Sequence, residues 1–197
     1  MTGHILSVFL EEERQAFPYI ALIASGGTTS LYLAEGYTCF SHLGRTRDDA
    51  AGEAFDKVAR LIGLSYPGGP AIQRAAAEGD PQAFKFPRAW LEGTWNFSFS
   101  GLKTSVLREV QRLQAGGEGS LRRPLPVEDL AASFQEAVVD VLVTKTIRAA
   151  RNFNARCILV AGGVSANQAL RQSFEQQSPV PLHIPPLKLC TDNAAMI

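Results

Sequence analysis

The sequence has few cysteines, no excess charge of either sign and no long apolar run, and each shortage argues against a class of protein. Three cysteines in 197 residues, none closely spaced, favour reduced thiols in a cytoplasm over a disulfide framework. The 19 basic residues balance 19 acidic ones, so no overall positive field indicates nucleic acid, although a local basic patch remains open. No apolar run could cross a bilayer, and the first residues lack a signal-peptide pattern. We therefore expect a cytoplasmic protein without a membrane segment.

The rest of the sequence predicts an α/β fold, because apolar runs of strand length alternate with longer runs of helical period. Two cysteines, Cys39 and Cys157, lie in strand-like runs and are predicted to be buried. An ordered connection is predicted over 84–99 and a mobile loop or linker over 114–126, which holds three glycines and two prolines. The predicted strands are Tyr19–Ala24, 30–34 and Cys157–Ala161, and the predicted helices are 5–14, 101–113, 129–154 and one beginning near Gln168.

The segment 43–70 joins a carboxylate-bearing helix to a glycine-rich turn. Thr46 is predicted to cap this helix, and Gly63 to end it. Four charged residues at spacings of three or four share its polar face, where they could together meet a ribose, a metal-bound water or a phosphate. A solvated helix face is the alternative. These residues are Asp49, Glu53, Asp56 and Arg60.

Three glycine turns lie next to polar helix starts, at 25–29, 66–70 and 162–167. The paired glycines Gly68 and Gly69, between two prolines, predict a turn in which the backbone can take positive φ and approach a ligand closely. The turn at 162–167 follows a strand and precedes a helix, an order that directs backbone N–H groups and the helix dipole at an anion. Together the turns predict a site for a nucleotide or a phosphorylated ligand. Neither the P-loop pattern nor Gly-x-Gly-x-x-Gly is present.

These motifs closely resemble one family, the tRNA threonylcarbamoyladenosine transferases of the Kae/TsaD type, formerly called O-sialoglycoprotein endopeptidases. The resemblance covers nearly the whole chain. It rests on Gly-His-Ile at 3–5, Ser-Gly-Gly at 25–27, Asp-Asp-Ala-Ala-Gly-Glu-Ala-Phe-Asp-Lys at 48–57, Tyr-Pro-Gly-Gly-Pro at 66–70, Phe-Ser-Phe-Ser-Gly-Leu-Lys-Thr at 97–104, Ala-Ala-Ser-Phe-Gln at 131–135, Ala-Gly-Gly-Val-Ser-Ala-Asn at 161–167 and Cys-Thr-Asp-Asn at 190–193.

The resemblance implies an actin-like, sugar-kinase-like and Hsp70-like ATPase fold, with two α/β lobes around a nucleotide cleft. It implies transfer of a threonylcarbamoyl group from threonylcarbamoyl-adenylate to the adenosine 3′ of the anticodon in tRNAs that read codons starting with A. The implied phosphate and carbamoyl contacts are Ala24, Ser25, Gly26, Gly27 and Thr28, the last at a position where the family usually has histidine. The implied ribose contacts are Asp56 and Gly69, and Asn167 is the remaining nucleotide contact. The implied partners are tRNA and the paralogous and ATPase proteins of the same pathway.

The resemblance also implies one divalent metal ion, with iron favoured over zinc or magnesium, held by two histidines and an aspartate. His4 and Asp192 match two of these ligands. The other histidine of the family's His-x-x-x-His motif would fall immediately before Met1, so we expect this chain to bind a divalent metal poorly. We further expect the chain to be the central part of a two-lobe transferase, lacking the N-terminal lobe and C-terminal end, and to be inactive alone.

Two other function classes stay open. One is a truncated, non-catalytic module that binds a nucleotide or a partner. The other is a metalloprotease, which we favour less because the sequence has no His-Glu-x-x-His. His42, His183 and Cys190 are interpreted as packing residues. Scattered solubilising charge is slightly favoured over an RNA-binding strip for the basic residues Lys85, Arg88, Lys103, Arg108, Arg122 and Arg123.

Overall fold

A five-stranded mixed sheet organises the chain in a computed structural model, which describes residues 16–115, 124–186 and Cys190. The sheet order is β3-β2-β1-β4-β5. The β1–β2 and β2–β3 pairs are antiparallel, whereas β4 runs parallel to both β1 and β5. The predicted helix 5–14, the predicted metal ligands His4 and Asp192, and most of the predicted loop 114–126 lie outside the described residues. The strands are β1 (Tyr19–Ala24), β2 (Thr29–Ala34), β3 (Phe40–Arg45), β4 (Cys157–Ala161) and β5 (Leu182–His183).

Five α-helices are present in the described ranges, and a short 3-10 turn (Gly163–Ala166) follows β4. The apolar stripe predicted for the longest helix, α4, is buried, because Leu130, Phe134 and Val138 are all 0 % exposed. None of the described helices is long and apolar enough to span a membrane. The helices are α1 (Ala51–Leu61), α2 (Gly68–Ala76), α3 (Ser100–Gln114), α4 (Val127–Asn152) and α5 (Gln168–Gln177).

The central strand β1 is buried on both faces, which explains its continuous apolar sequence. Side chains alternate across a strand, so Ile20 and Leu22 join the main core with the helices. Tyr19, Ala21 and Ile23 join a smaller cluster on the other face. The predicted limits of β1 and β4 are confirmed. The segment 84–99 is confirmed as a connection without a helix, and the helices predicted over 101–113 and 129–154 are present with slightly different ends.

The predicted start of α1 at Thr46 is wrong. Thr46 still belongs to the extended chain, because it forms a bridge with Phe97 and its backbone N–H donates to the carbonyl of Thr29 at 2.7 Å. The helix begins at Ala51, where Glu53 accepts a hydrogen bond from the N–H of Ala50 at 3.3 Å. Its end is as predicted: Gly63 has φ of +82°.

The prediction of a turn through Gly68 and Gly69 is also wrong, and neither glycine has positive φ. Both glycines lie in the first turn of α2, which Pro67 precedes in an extended conformation. Gly68 is glycine because of packing: a Cβ there would lie 2.5 Å from the Cα of Asp56. The absence of a side chain lets α2 begin directly against α1.

One of the two cysteine predictions is wrong. Cys157 is buried in β4, as predicted, but Cys39 is exposed. Cys39 lies in the tight turn between β2 and β3, where its N–H donates to the carbonyl of Gly36 at 3.4 Å. That turn projects from the sheet, so its side chains do not reach the core.

Candidate functional site

A cavity of about 730 Å³ opens where the β1–β2 turn, the first turns of α1 and α2 and the 3-10 turn meet. These segments come from distant parts of the sequence. The sheet brings them together, because β1 and β4 are parallel neighbours and the turns after both strands lie at the same edge. The predicted site residues that line the cavity are Ser25, Gly26, Asp56, Gly69 and Asn167.

Ala24, Gly27 and Thr28 were predicted as contacts but do not line this cavity. Ala24 is fully buried at the end of β1. Thr28 closes the turn: its N–H donates to Ser25 Oγ at 3.2 Å, and its carbonyl accepts from the N–H of Ser25 at 2.7 Å. Ala24 and Thr28 therefore hold the shape of the turn and leave the lining to Ser25 and Gly26.

The first turns of α1 form the floor of the cavity. Gly52 lies under the β1–β2 turn: its N–H donates to the carbonyl of Ser25 at 3.1 Å, and a Cβ would lie 2.6 Å from that oxygen. Phe55 and Asp56 follow one turn later along the same helix. Four residues of α-helix span about 6 Å. The cavity thus has a glycine-turn end at Gly52 and an α2 end at Asp56.

Asp56 is the carboxylate of the cavity. Its Oδ1 accepts a hydrogen bond of 2.7 Å from the N–H of Gly68, at the positive end of α2. Its Oδ2 accepts no hydrogen bond from the described residues and stays available to a hydroxyl donor such as a ribose.

The other members of the predicted charged face do not join Asp56. Asp49 and Glu53 pair with Lys57 at 2.7 and 2.8 Å, and Asp49 also lies 3.3 Å from Lys103. Arg60 is exposed and does not line the cavity. The prediction that all four side chains meet one ligand is therefore wrong. The helix turns Asp56 alone toward the cavity, whereas Asp49 and Glu53 form an ion-pair cluster with Lys57.

Asn167 lines the cavity but is already hydrogen-bonded on both sides of its amide. Its Oδ1 accepts from the N–H of Leu170 at 3.0 Å, capping α5, and its Nδ2 donates to Gln135 at 2.7 Å. Gln73 accepts from the N–H of Gln168 at 2.8 Å. Side chains thus occupy two of the first N–H groups of α5. Fewer N–H groups at this helix start therefore remain for the predicted anion, and Asn167 acts as a cap.

The 3-10 turn packs against β1 on one side and borders the cavity on the other. Gly162, with φ of +92°, packs so closely on β1 that a Cβ would lie 2.4 Å from the carbonyl oxygen of Ala24. Gly163 has nothing within 4 Å of an added Cβ and lines the cavity. Arg171 holds the turn by donating to the carbonyl of Ser165 at 2.7 Å.

A large share of the cavity lining is not predicted from the sequence. Gln73 had a detectable signal, because it lies one helical turn after Gly69, but no helix was predicted there. Tyr66 was treated only as part of a turn. The lining residues that were not predicted as contacts are Gly52, Phe55, Tyr66, Pro67, Pro70, Gln73, Val164 and Ala166, whereas Gly163, which the glycine turn at 162–167 placed at the predicted site, does line the cavity.

The predicted metal ligands lie outside the described residues, whereas several of the predicted basic residues can be located. His4 and Asp192 lie outside the described residues, and no metal-binding cluster of three His, Cys, Asp or Glu side chains occurs in the part that the structure describes. Of the basic residues, Arg88 pairs with Asp140 at 3.0 Å. Lys85 and Arg108 border a separate cavity of about 440 Å³ beside α3. Arg122 and Arg123 are not described.

The fold is shared with solved structures of low sequence identity. Full-length HypF, crystallised in a phosphate- and nucleotide-bound form, matches with a TM-score of 0.73 and 14 % identity, over 99 % of this chain and 34 % of that one. Component A of (R)-2-hydroxyglutaryl-CoA dehydratase from Acidaminococcus fermentans matches with a TM-score of 0.53 and 15 % identity, over 94 % and 61 % of the two chains. These matches show part of an actin-like α/β fold.

Sequence comparison identifies much closer relatives. The chain is 53 % identical to the tRNA N6-adenosine threonylcarbamoyltransferase of Desulfotalea psychrophila, over its full length and 58 % of that protein. It is 51 % identical to the enzyme of the same name from Thermomicrobium roseum, over 60 % of that protein. The chain therefore spans less than two thirds of these relatives. The family model for tRNA N6-adenosine threonylcarbamoyltransferase, TsaD, matches residues 1–197, and the chain belongs to this family.

Proposed function

We propose that the protein transfers a threonylcarbamoyl group from threonylcarbamoyl-adenylate to N6 of the adenosine 3′ of the anticodon, in tRNAs that read codons starting with A. The observation that carries this proposal is the common cavity of Ser25, Gly26, Asp56, Gly69 and Asn167, which are five of the contacts that the family resemblance implies. Its volume, about 730 Å³, falls in the range of small-molecule sites.

The reaction is an acyl transfer. The N6 amine attacks the carbamoyl carbon, a C–N bond forms, the bond from that carbon to the phosphate oxygen breaks, and AMP leaves while N6 loses a proton. We place the adenylate phosphate against the turn of Ser25 and Gly26 and the ribose at Asp56. Small residues let backbone amides approach the developing oxyanion closely, which is where hydrogen-bond donors accelerate acyl transfer most.

We also propose a divalent metal site that includes His4 and Asp192. An imidazole and a carboxylate suit iron or zinc better than magnesium, and such an ion would polarise substrate oxygens. The proposal rests on the family resemblance. Metal content tests it in an untagged chimera whose unmatched segments come from the Desulfotalea psychrophila protein, measured beside the His4→Ala and control His42→Ala forms of that chimera. Loss of bound iron or zinc in His4→Ala alone supports the site, and equal content in all three chimeras contradicts it.

The proposed macromolecular partners are tRNA and the paralogous and ATPase proteins of the same pathway, in the cytoplasm. Lys85 and Arg108 form no ion pair in the described part of the chain and are candidates for phosphate contacts. The transfer is tested with tRNA, the adenylate and these partners, followed by mass spectrometry of the digested nucleosides. We test the chain alone and a chimera in which the Desulfotalea psychrophila protein supplies the segments that this chain does not match.

We expect threonylcarbamoyladenosine from the chimera, and none from the chain alone. Asp56→Ala should abolish most product in the chimera, whereas Glu53→Ala, on the outer face of the same helix, should not. No product from the chimera under conditions in which the intact relative is active would contradict the proposed function. Robust product from the chain alone would contradict the expectation that it is inactive.

A non-catalytic nucleotide-binding module is the second candidate. The observation in its favour is that the cavity is present in a chain that covers only 58 % of a relative. Tight binding of AMP without any transfer in the chimera would favour this candidate. Nothing in the described residues favours the metalloprotease alternative.

A further inference from the structure

Tyr66 is the most exposed large apolar side chain in the described part of the molecule, with 81 % of its surface accessible. It is also a lining residue of the cavity. Within the described ranges its ring stacks on no other aromatic group, and its hydroxyl makes no hydrogen bond. An aromatic ring in this position contributes almost nothing to the core. Its location at the mouth of the cavity therefore calls for an explanation in binding.

The backbone next to Tyr66 is fixed by contacts with α1, although the ring itself is exposed. Pro67 precedes α2 with φ of −73° and ψ of 141°, and Gly68 donates its N–H to Asp56 at 2.7 Å. A Cβ on Gly68 would also lie 2.6 Å from the carbonyl oxygen of Phe55, so this segment is fixed against α1. The ring is thus carried by a rigid support, which lowers the entropy lost when a ligand orders it.

The position of Tyr66 matches one end of a nucleotide. Along α1, Gly52 contacts the Ser25–Gly26 turn, and Asp56 contacts the start of α2 about 6 Å further on. A nucleotide with its phosphate at the turn and its ribose at Asp56 would direct its base toward the α2 end. Tyr66 lies at that end, two residues before Gly68.

We propose that Tyr66 is the platform on which the adenine base of the bound adenylate stacks. This inference rests on the proposed function, because it needs a nucleotide whose phosphate and ribose lie as described above. The contact is between ring faces and uses no hydrogen bond of the tyrosine hydroxyl. Phenylalanine should therefore replace Tyr66, and the contact should add affinity without choosing between purines.

Calorimetric titration of the 197-residue chain with AMP and with ribose 5-phosphate tests the proposal. Ribose 5-phosphate keeps the phosphate and sugar but has no base to stack. We expect Tyr66→Ala to raise the Kd for AMP roughly five- to hundredfold, the range measured for loss of base stacking. Its Kd for ribose 5-phosphate should stay unchanged, and Tyr66→Phe should bind AMP within about twofold of the wild type.

Tyr37→Ala is the matched control, because Tyr37 is 56 % exposed but lies in the β2–β3 turn, away from the cavity. It should bind AMP like the wild type. An upfield NMR shift of the adenine H2 and H8 signals, seen with the wild type and Tyr66→Phe but absent with Tyr66→Ala, would support stacking directly.

The outcomes separate this inference from the proposed function. If the wild type binds AMP and Tyr66→Ala binds it equally well, the platform is wrong and the proposed function is unaffected. An equal loss of affinity for AMP and ribose 5-phosphate, or the same loss in Tyr37→Ala, also overturns the platform. A wild-type chain that binds neither ligand overturns the nucleotide site and the platform together.

Discussion

Asp56 Oδ1 lies 2.7 Å from the backbone nitrogen of Gly68, so a side chain in the middle of α1 satisfies an N–H group at the start of α2. This bond joins the two helices at the point where both border the cavity. One carboxylate thus has two tasks: Oδ1 orients α2, and Oδ2 is available to a ligand.

Replacement of Asp56 by alanine should weaken AMP binding by about 1.5–3 kcal/mol, the usual contribution of a hydrogen bond to a charged group. Asp56→Asn keeps an acceptor for Gly68 and should lower thermal stability less than Asp56→Ala. Calorimetry with AMP and thermal unfolding measure the two effects. Glu53→Ala, on the outer face of α1, is the control, and it should leave AMP binding unchanged. Wild-type affinity in Asp56→Ala would show that the ribose lies elsewhere.

The adjacent glycines of the 3-10 turn should respond to substitution in opposite ways. Gly162→Ala forces a residue with a side chain into φ of +92° and places its Cβ 2.4 Å from the carbonyl oxygen of Ala24, so it should lower stability by more than about 1 kcal/mol. Gly163→Leu meets open space and should preserve stability, but its side chain at the cavity should weaken AMP binding. Chemical unfolding and AMP titration of both variants check this contrast. A stable Gly162→Ala, or full AMP affinity in Gly163→Leu, would contradict it.

The sequence predicts those parts of the fold that are determined by residues close together in the chain. β1 and β4 are predicted with their correct ends because each is a buried apolar run bounded by proline, glycine or polar residues. Thr46 has the local signature of a helix cap, but its partner Phe97 is 51 residues away in sequence, and that bridge keeps Thr46 in an extended conformation beyond the end of β3. No local pattern shows such a partner.

The candidate site shows the same limit. The sequence predicts its glycine turns and Asp56, because each belongs to a recognisable motif. Tyr66 and Gln73 are placed at the cavity by a helix that begins within the Tyr-Pro-Gly-Gly-Pro segment, and the sequence does not predict that helix. Local propensity assigns that segment to a turn, because glycine and proline disfavour helix interiors. Close packing of Gly68 on α1 outweighs the propensity, and this is a property of the fold.

Asp48 should be a stabilising cap of α3 and thus give the Phe-Ser-Phe-Ser motif a structural role. Its carboxylate accepts from the hydroxyl of Ser98 at 2.5 Å, from the N–H of Phe99 at 2.8 Å, and from both the hydroxyl and the N–H of Ser100 at 2.8 and 3.3 Å. We expect Asp48→Ala to lower the free energy of unfolding by about 1–2 kcal/mol near neutral pH. Asp140→Ala, which breaks only a surface ion pair with Arg88, should cost less.

The effect of Asp48 should depend on pH. Partial burial by itself raises the pKa of this carboxyl, but the hydrogen bonds from Ser98, Phe99 and Ser100 outweigh burial and hold the pKa below its ordinary value. The extra stability is therefore present above the ordinary pKa of aspartate and is lost as the pH falls through the lowered value. Urea unfolding of the wild type and Asp48→Ala at about pH 6 and about pH 3 should show a smaller difference at the acidic pH. A difference that is constant or larger in acid would contradict the capping role.

Lys145 should make stability depend on pH with the same sign as Asp48, but in the alkaline range. It is 3 % exposed in α4, donates to the carbonyls of Thr94 and Asn96, and lies 5.6 Å from the centre of the Phe97 ring. Burial, followed by the nearby positive charge of Arg148, lowers the pKa of Lys145 to about 8. The folded protein thus releases this proton at a lower pH than the unfolded chain does.

Between about pH 8 and the ordinary lysine pKa, the unfolded chain therefore binds the proton that the folded protein lacks, and Lys145 favours folding more as the pH rises. Relative to Lys145→Met, the wild type should gain up to about 1.4 kcal/mol of unfolding free energy per pH unit in this window. Lys57→Met is the control, because hydrogen bonds to Asp49 and Glu53 raise the pKa of Lys57, which keeps its charge over the same window. Urea unfolding at about pH 7 and about pH 9.5 measures both differences. If the unfolding free energy of the wild type minus that of Lys145→Met stays constant or falls as the pH rises, Lys145 is charged in the folded protein and its two carbonyl contacts stabilise the ammonium form.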